Sequence, residues 1–126
     1  MIEKYLVSKL GTIGQLQGQV YPTAAPVGDI EPPFCIYSRV SGSVERDLSG
    51  EPLFYTDVYR LDLSGDDNDL LCDLDKVVTD ELSETNVDAG DFYIFSASVA
   101  PGAPDGFDLT IETHRRSLAY TVTYWR

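Results

Sequence analysis

The sequence predicts an α+β domain in which two helices pack on one face of an antiparallel or mixed β-sheet. Two segments place apolar residues at the three- and four-residue spacing of an amphipathic helix, and several others alternate apolar and polar side chains as strands do. The predicted order is α-β-β-β-α-β-β, with a long β-hairpin between the second and third strands. A length of 126 residues favours a single domain over residues 1–126.

The first predicted helix covers Ile2–Leu16, and Gly11 and Gly14 weaken its far end. Val20 and Tyr21 then form a short extended segment. The following loop cannot continue a helix or an interior strand, because its prolines lack a backbone donor; these are Pro22, Pro26, Pro32 and Pro33. It leads into a strand predicted over Phe34–Ser41.

The longest predicted strand is Leu53–Ser64, in which both faces carry apolar residues, as expected of a central strand. The polar segment Gly42–Pro52 joins it to the strand Phe34–Ser41. This connection is longer than the usual hairpin loop of about two to five residues. We therefore expect a projecting hairpin at this point.

The second predicted helix begins at Ser64-Gly65-Asp66-Asp67, because Ser or Asp caps free amides and acidic side chains favour the positive end of the helix dipole. Leucine and valine residues continue it at helical spacing to near Glu84. The polar segment Asn86–Gly90 is then predicted to form a turn.

The last third of the sequence predicts strands. Asp91–Ala100 contains a short apolar run that is typical of a strand buried on both faces. Phe107–Glu112 is a candidate short strand. Arg115–Trp125 is rich in β-branched and aromatic residues, and we expect it at a sheet edge or a barrel seam.

The charge of the chain argues against several classes of partner. Its 21 acidic and 9 basic residues give a formal net charge of −12, which repels nucleic acids and anionic lipid surfaces. No apolar run approaches the roughly 20 residues that span a bilayer, and the first residues are unlike a signal peptide. We expect that the chain is made in the cytoplasm and does not associate with membranes.

The sequence offers no catalytic or cofactor motif. His114 has no accompanying nucleophile motif, so a solvated histidine is favoured over a catalytic base. The acidic residues of Asp66–Asp69 lack the spacing of a calcium loop and are better explained as helix-capping residues. Cys35 and Cys72 make neither a disulfide framework nor a metal site, and are expected to be buried free thiols. We therefore expect no enzyme activity, metal or cofactor.

The projecting hairpin is the remaining candidate for a functional surface. Mixed charges on such a hairpin can steer and register a neighbouring subunit, although an ordinary solvated loop is the alternative. The candidate subunit interface, on the hairpin and its flanking strands, consists of Arg39, Glu45, Arg46, Asp47, Glu51 and Tyr55.

Several stretches carry a family resemblance when they are taken in order. VYP follows the first helix, PPFCIYSRVSG and FYTDVYRLDLSG flank the charged turn, and RRSLAYTVTYW forms the last strand. Together they make the chain resemble the tail terminator, or tail completion, proteins of long-tailed bacteriophages. The resemblance covers nearly the whole chain and lies in the order and spacing of common motifs.

The resemblance implies a virion subunit that forms a ring, commonly hexameric, at the head-proximal end of the tail tube. Such a ring stops tube polymerisation and joins the tail to the head, without catalysis. Its partners would be copies of itself, the tail tube protein and a head–tail connector protein, with DNA only passing through the lumen. The alternatives are another head–tail connector, a minor tail subunit, or a small acidic protein-binding module.

Overall fold

The computed structural model describes residues 2–16, 18–22, 32–102, 106–108 and 113–125. Two α-helices lie in this part of the chain, α1 (Ile2–Gly11) and α2 (Asn68–Leu82), with a 3₁₀ turn at Gly14–Leu16. The strands are β1 (Val20–Pro22), β2 (Phe34–Arg46), β3 (Pro52–Gly65), β4 (Glu84–Asp88), β5 (Tyr93–Pro101), β6 (Gly106–Asp108) and β7 (Thr113–Trp125). No helix in these ranges is long and apolar enough to cross a membrane.

The described strands form one mixed sheet. Its order is β1-β2-β3-β7-β5-β4, and β6 also pairs with β7. Only the pairing of β1 with β2 is parallel, and the others are antiparallel. Because β7 lies between β3 and β5, it joins a hairpin from the first half of the chain to a hairpin from the second.

Both helices pack on the same face of this sheet, as the sequence predicts. Their buried side chains are Ile2, Leu6 and Leu10 in α1 and Leu71, Leu74, Val78 and Leu82 in α2. The sheet residues of this core include Cys35, Tyr59, Leu61, Leu63, Ile94, Leu118, Tyr120 and Val122. We call the opposite side of the sheet the open face, since neither described helix covers it.

Helix α2 begins where the acidic residues predict. Asp67 is the N-cap, with an extended backbone and a side chain that accepts a hydrogen bond from the Asp69 amide at 2.9 Å. The helix ends at Leu82, and the Ser83 amide donates to the Thr79 carbonyl. The capping interpretation of Asp67 is therefore confirmed.

The first helix is shorter than predicted. It ends at Gly11, and helical backbone returns only as the 3₁₀ turn Gly14–Leu16. The two glycines explain the break, because glycine weakens a helix interior. Leu16 is nevertheless fully buried, so the apolar spacing correctly indicates its place in the core.

Two expectations for the second half of the chain need correction. The predicted turn Asn86–Gly90 is confined to its last residues, where Gly90 has a φ of 91° and its amide donates to Asp88. Asn86 lies within β4, although its φ of 55° is the left-handed conformation that asparagine favours in turns. The last strand is central and not at an edge, because β3 and β5 pair with its two sides. Its β-branched and aromatic residues suit a buried strand equally well.

The α+β class and the long hairpin are confirmed, β4 is added to the predicted order, and β6 covers the first residues of the candidate strand Phe107–Glu112. Strand pairing reaches further into Gly42–Pro52 than predicted, since β2 continues to Arg46 and β3 starts at Pro52. Pro26 and residues 109–112 of the predicted Phe107–Glu112 strand lie outside the described residues.

Candidate interaction surface

The hairpin of β2 and β3 extends past the rest of the sheet. The two strands stay paired up to Arg46 and Pro52, whereas β7 pairs with β3 only from Tyr55 onward. Every residue from Arg39 to Leu53 is exposed. The hairpin therefore presents both its faces and one strand edge to its surroundings.

The turn at the tip of the hairpin is organised by Asp47. Its Oδ1 accepts hydrogen bonds from the Ser49 hydroxyl at 2.6 Å, the Ser49 amide at 2.9 Å and the Glu51 amide at 3.0 Å. The Ser49 hydroxyl first, and then the Glu51 amide, lower the pKa of the Asp47 carboxyl. Gly50 provides the left-handed backbone that closes the turn, with φ of 89°.

Arg46 belongs to the same turn. Its Nη1 donates to the carbonyl of Gly50 at 2.9 Å, across the tip of the hairpin. Of the four charged residues predicted here, Arg46 and Asp47 thus stabilise the turn, while Glu45 and Glu51 hold exposed side chains. The tip is a defined structural unit that carries net negative charge.

The base of the hairpin is held by a buried carboxylate. Asp57 is only 5% exposed, and its two oxygens accept from Arg39 Nη2 at 3.1 Å and from the Tyr124 hydroxyl at 2.9 Å. The neighbouring Asp57 carboxylate raises the pKa of Arg39, whose side chain stays 55% exposed. The ring of Tyr55 stacks on that of Tyr124, with centroids 5.5 Å apart and planes 21° apart.

A glycine makes this ion pair possible. Gly42 lies opposite Asp57 in the β2–β3 ladder, and the guanidinium of Arg39 crosses directly over it. A Cβ at this position would lie 2.0 Å from Arg39 Nη2 and 2.8 Å from Asp57 Oδ1. Sequence reasoning places Gly42 at the end of a strand, but only the register shows that its missing side chain leaves room for Arg39.

The structure therefore divides the six predicted interface residues into two groups. Arg39 and Tyr55 meet around Asp57 and Tyr124 at the base of the hairpin, whereas Glu45, Arg46, Asp47 and Glu51 surround the tip. The assignment of these residues to a subunit interface stays a prediction.

A row of hydroxyl side chains crosses the open face next to the hairpin. The registers of the neighbouring strands align Ser43, Thr56, Thr123, Ser96 and Thr85. The hydroxyls of Thr56 and Thr123 lie 3.1 Å apart and share a hydrogen bond. These residues come from five strands, so their alignment could be found only from the order and register of the sheet.

The residues considered above as candidates for catalysis or metal binding lie in different parts of the fold. His114 is half-buried on β7, opposite Gly65 of β3. Asp75 accepts from the Thr79 hydroxyl at 3.1 Å and from Arg116 at 3.3 Å, so part of the acidic helix is engaged in structural contacts. Over the ranges described, no three His, Cys, Asp or Glu side chains are grouped to hold a metal ion.

The two free cysteines differ in burial. Cys35 is fully buried, and loss of solvation raises the pKa of its thiol to about 12. Cys72 on α2 is only half-buried, contrary to expectation, with its Sγ 3.5 Å from Arg116 Nη1. The expectation of a buried free thiol is confirmed for Cys35 alone.

The fold is similar to that of a protein in a solved virion structure. No protein-family model matches the chain, and no curated protein sequence matches it. A chain in the virion of a native gene transfer agent particle superposes with a TM-score of 0.62 and 15% sequence identity. The match covers 96% of this chain and 84% of the other, so nearly the whole of the architecture described above is shared.

Proposed function

We propose that the protein is a structural, non-catalytic component of a phage-like virion. The observation that carries the proposal is the shared fold, which extends over 96% of the chain to a protein in the virion of a gene transfer agent particle. The long exposed hairpin supports it, since such an element offers an edge, two faces and a defined tip to neighbouring molecules. The ordered resemblance to tail terminator proteins supports it independently.

Within the virion, we infer that copies of the chain form a ring that caps the tail tube at its head-proximal end.

 Such a ring would stop tube polymerisation and offer a surface to the head–tail connector protein, with the tail tube protein on its other side. A lumen bordered by acidic side chains suits this role, because DNA would pass through it without binding. The hexameric state inferred from the family resemblance belongs to this proposal.

The hairpin is the element that we assign to the contact between neighbouring copies. A ring needs a heterologous contact, in which one surface of each copy meets a different surface of the next. The β2–β3 hairpin reaches past the body of the subunit and carries the predicted interface residues Glu45, Arg46 and Glu51 at its tip. Glu45 and Glu51 have exposed side chains that are available for assembly, whereas Arg46 also bonds the Gly50 carbonyl within the turn.

Electron microscopy of particles made without this protein tests the proposal most directly. We expect tails of irregular length that are not attached to heads. Tails of normal length joined to heads would contradict the terminator role. Normal tail length with detached heads would instead favour the alternative, another head–tail connector of the same fold.

Charge reversal at the hairpin tests the ring contact. Arg46→Glu replaces a positive charge by a negative one at the hairpin tip, so it is expected to weaken the contact between subunits in the ring. The subunit should stay folded, because the tip is exposed and the change removes only the bond to the Gly50 carbonyl. Lys76→Glu, on the exposed surface of α2, is the matched control. Mass photometry measures the rings and circular dichroism the folding; equal ring formation by both variants would contradict the assignment.

A further inference from the structure

The end of the open face next to the hairpin carries a line of aromatic residues. The strand registers place Glu45 opposite Phe54, Tyr93 opposite Trp125 and Asp88 opposite Tyr93. The β3–β7 register ends with Tyr55 opposite Tyr124, and the next residues of the two strands, Phe54 and Trp125, are therefore neighbours on the open face. Since directly opposed residues of an antiparallel pair point to the same face, three aromatic side chains lie side by side between two carboxylates.

A fourth aromatic ring joins this line. Phe95 lies at the irregularity in the β5–β7 ladder, between Ile94 and Ser96, and packs edge-on against Phe54 and Tyr93, with ring centroids 6.3 and 5.5 Å away. We call Phe54, Tyr93, Phe95 and Trp125 the aromatic patch. Phe95 is 41% exposed and Trp125 53% exposed, so the patch leaves much of its apolar surface in water. Contiguous exposed apolar surface of this kind marks interaction sites.

The hairpin exposes further apolar side chains at its tip and on its other face. Val44 is 39% exposed, Leu53 is 47% exposed and Leu48 at the tip is fully exposed. Val44 and Leu53 adjoin Glu45 and Phe54 along their strands, so their side chains point to the face opposite the aromatic patch. Most of the large apolar side chains that the described residues expose are thus found at one end of the sheet.

Acidic residues border this end. The exposed carboxylates around the aromatic patch and the hairpin tip are Glu45, Asp47, Glu51, Asp88 and Asp91. Within the described ranges, Arg46 is the basic residue of the same region, and its guanidinium is bonded to the Gly50 carbonyl. The surface therefore combines an apolar centre with a negatively charged border.

We propose that the aromatic patch docks a different protein, whose contact surface has an apolar centre bordered by lysine or arginine residues. The charge of the border selects this partner, because opposite charges across an interface favour association and like charges oppose it. A second copy would bring the same five carboxylates against this border, so self-association through the patch is disfavoured. The inference rests on the proposed function in one respect, since the partner is sought among the proteins of the virion.

Site-specific photo-cross-linking tests the proposal in cells that produce the particle. A photoreactive benzoylphenylalanine replaces Trp125, and the same group at Lys76 on α2 is the control. We expect position 125 to cross-link to a segment of another virion protein in which lysine and arginine outnumber acidic residues. A cross-link confined to copies of this chain, or to a segment without basic excess, would overturn the proposal. So would the same cross-link from position 76.

Two further variants separate the patch from its border. Phe95→Ser removes apolar surface, and Asp91→Lys reverses one border charge; both sites are exposed, so the fold should be retained. We expect Phe95→Ser to reduce the cross-linking yield by about tenfold. Asp91→Lys should reduce it by a smaller factor. Unchanged yields from folded variants would overturn the assignment of this surface.

The outcomes for the ring and for the docking surface are distinct. Intact rings and normal tails without a cross-link from position 125 would overturn the docking proposal alone. A cross-link to a basic segment of another virion protein, in particles whose tail length does not depend on this chain, would overturn the terminator proposal alone.

Discussion

The two ends of β3 have the same alternating sequence but different surroundings. At one end, Leu61 and Leu63 are fully buried beneath the helices. At the other, Leu53 is 47% exposed, on the hairpin that extends past β7. Alternation therefore indicates which side chains share a face, whereas the neighbouring elements decide whether that face is covered. The covered end holds the fold together, and the exposed end is available for assembly.

Truncation of one leucine at each end of β3 tests this difference, and truncation at the buried end has the largest expected effect. Leu61→Ala should lower the free energy of unfolding by about 2–5 kcal/mol, because it leaves a cavity in the core. Leu53→Ala should change it by no more than about 0.5 kcal/mol. Denaturant unfolding of both variants measures the difference; similar losses would show that the hairpin end also carries the fold.

The junction between the two regions gives an intermediate effect. Gly42→Ala should lower the free energy of unfolding by about 1–3 kcal/mol, because the new Cβ displaces the Arg39 guanidinium from Asp57. In an Arg39→Ala background the same change should cost less, since the main clash has been removed. The measurement is the free energy of unfolding of four proteins: the original chain, Gly42→Ala, Arg39→Ala and the double variant. An equal cost in both backgrounds would contradict the role given to Gly42.

The smallest effect concerns the tip. Hydrogen bonds to the Asp47 carboxylate lower its pKa, so their contribution is present above the ordinary aspartate pKa of about 3.9 and is lost as the pH falls through the lower folded value. The amide signals of Ser49 and Glu51 should therefore shift only at a pH below about 3.9 in an NMR titration of the free subunit. Asp47→Asn, which cannot titrate, is the control and should abolish that shift. A shift centred at the ordinary value would contradict the hydrogen-bonded turn.

Much of the fold follows from local sequence patterns. The apolar stripes of α1 and α2, the Asp67 cap and the alternation in β2, β3 and β7 predict the α+β class and the face that the helices cover. The position of β7 does not follow from them, because a pattern of β-branched and aromatic residues does not specify which strands pair with it. Asn86 illustrates a related limit, since a residue typical of turns can occupy an irregular position within a strand.

The candidate surface was predictable only in part. The length and charge of Gly42–Pro52 indicate a projecting hairpin, and the structure has one. The contacts of Arg39 with Asp57, and of Arg46 with Gly50, depend on pairing across the hairpin and are not visible in the spacing of charges. The aromatic patch gathers residues from three strands, and only the combined registers bring Phe54, Tyr93 and Trp125 together.

The central place of β7 has a consequence for how the chain folds. The β2–β3 and β4–β5 hairpins form from nearby residues, but the sheet is continuous only after β7 has inserted between them. Until then, β3 and β5 each expose an unpaired edge, which is the feature that promotes pairing with other chains. Insertion of this late, long-range strand should therefore set the rate of folding and end the period in which the newly made protein is prone to aggregate.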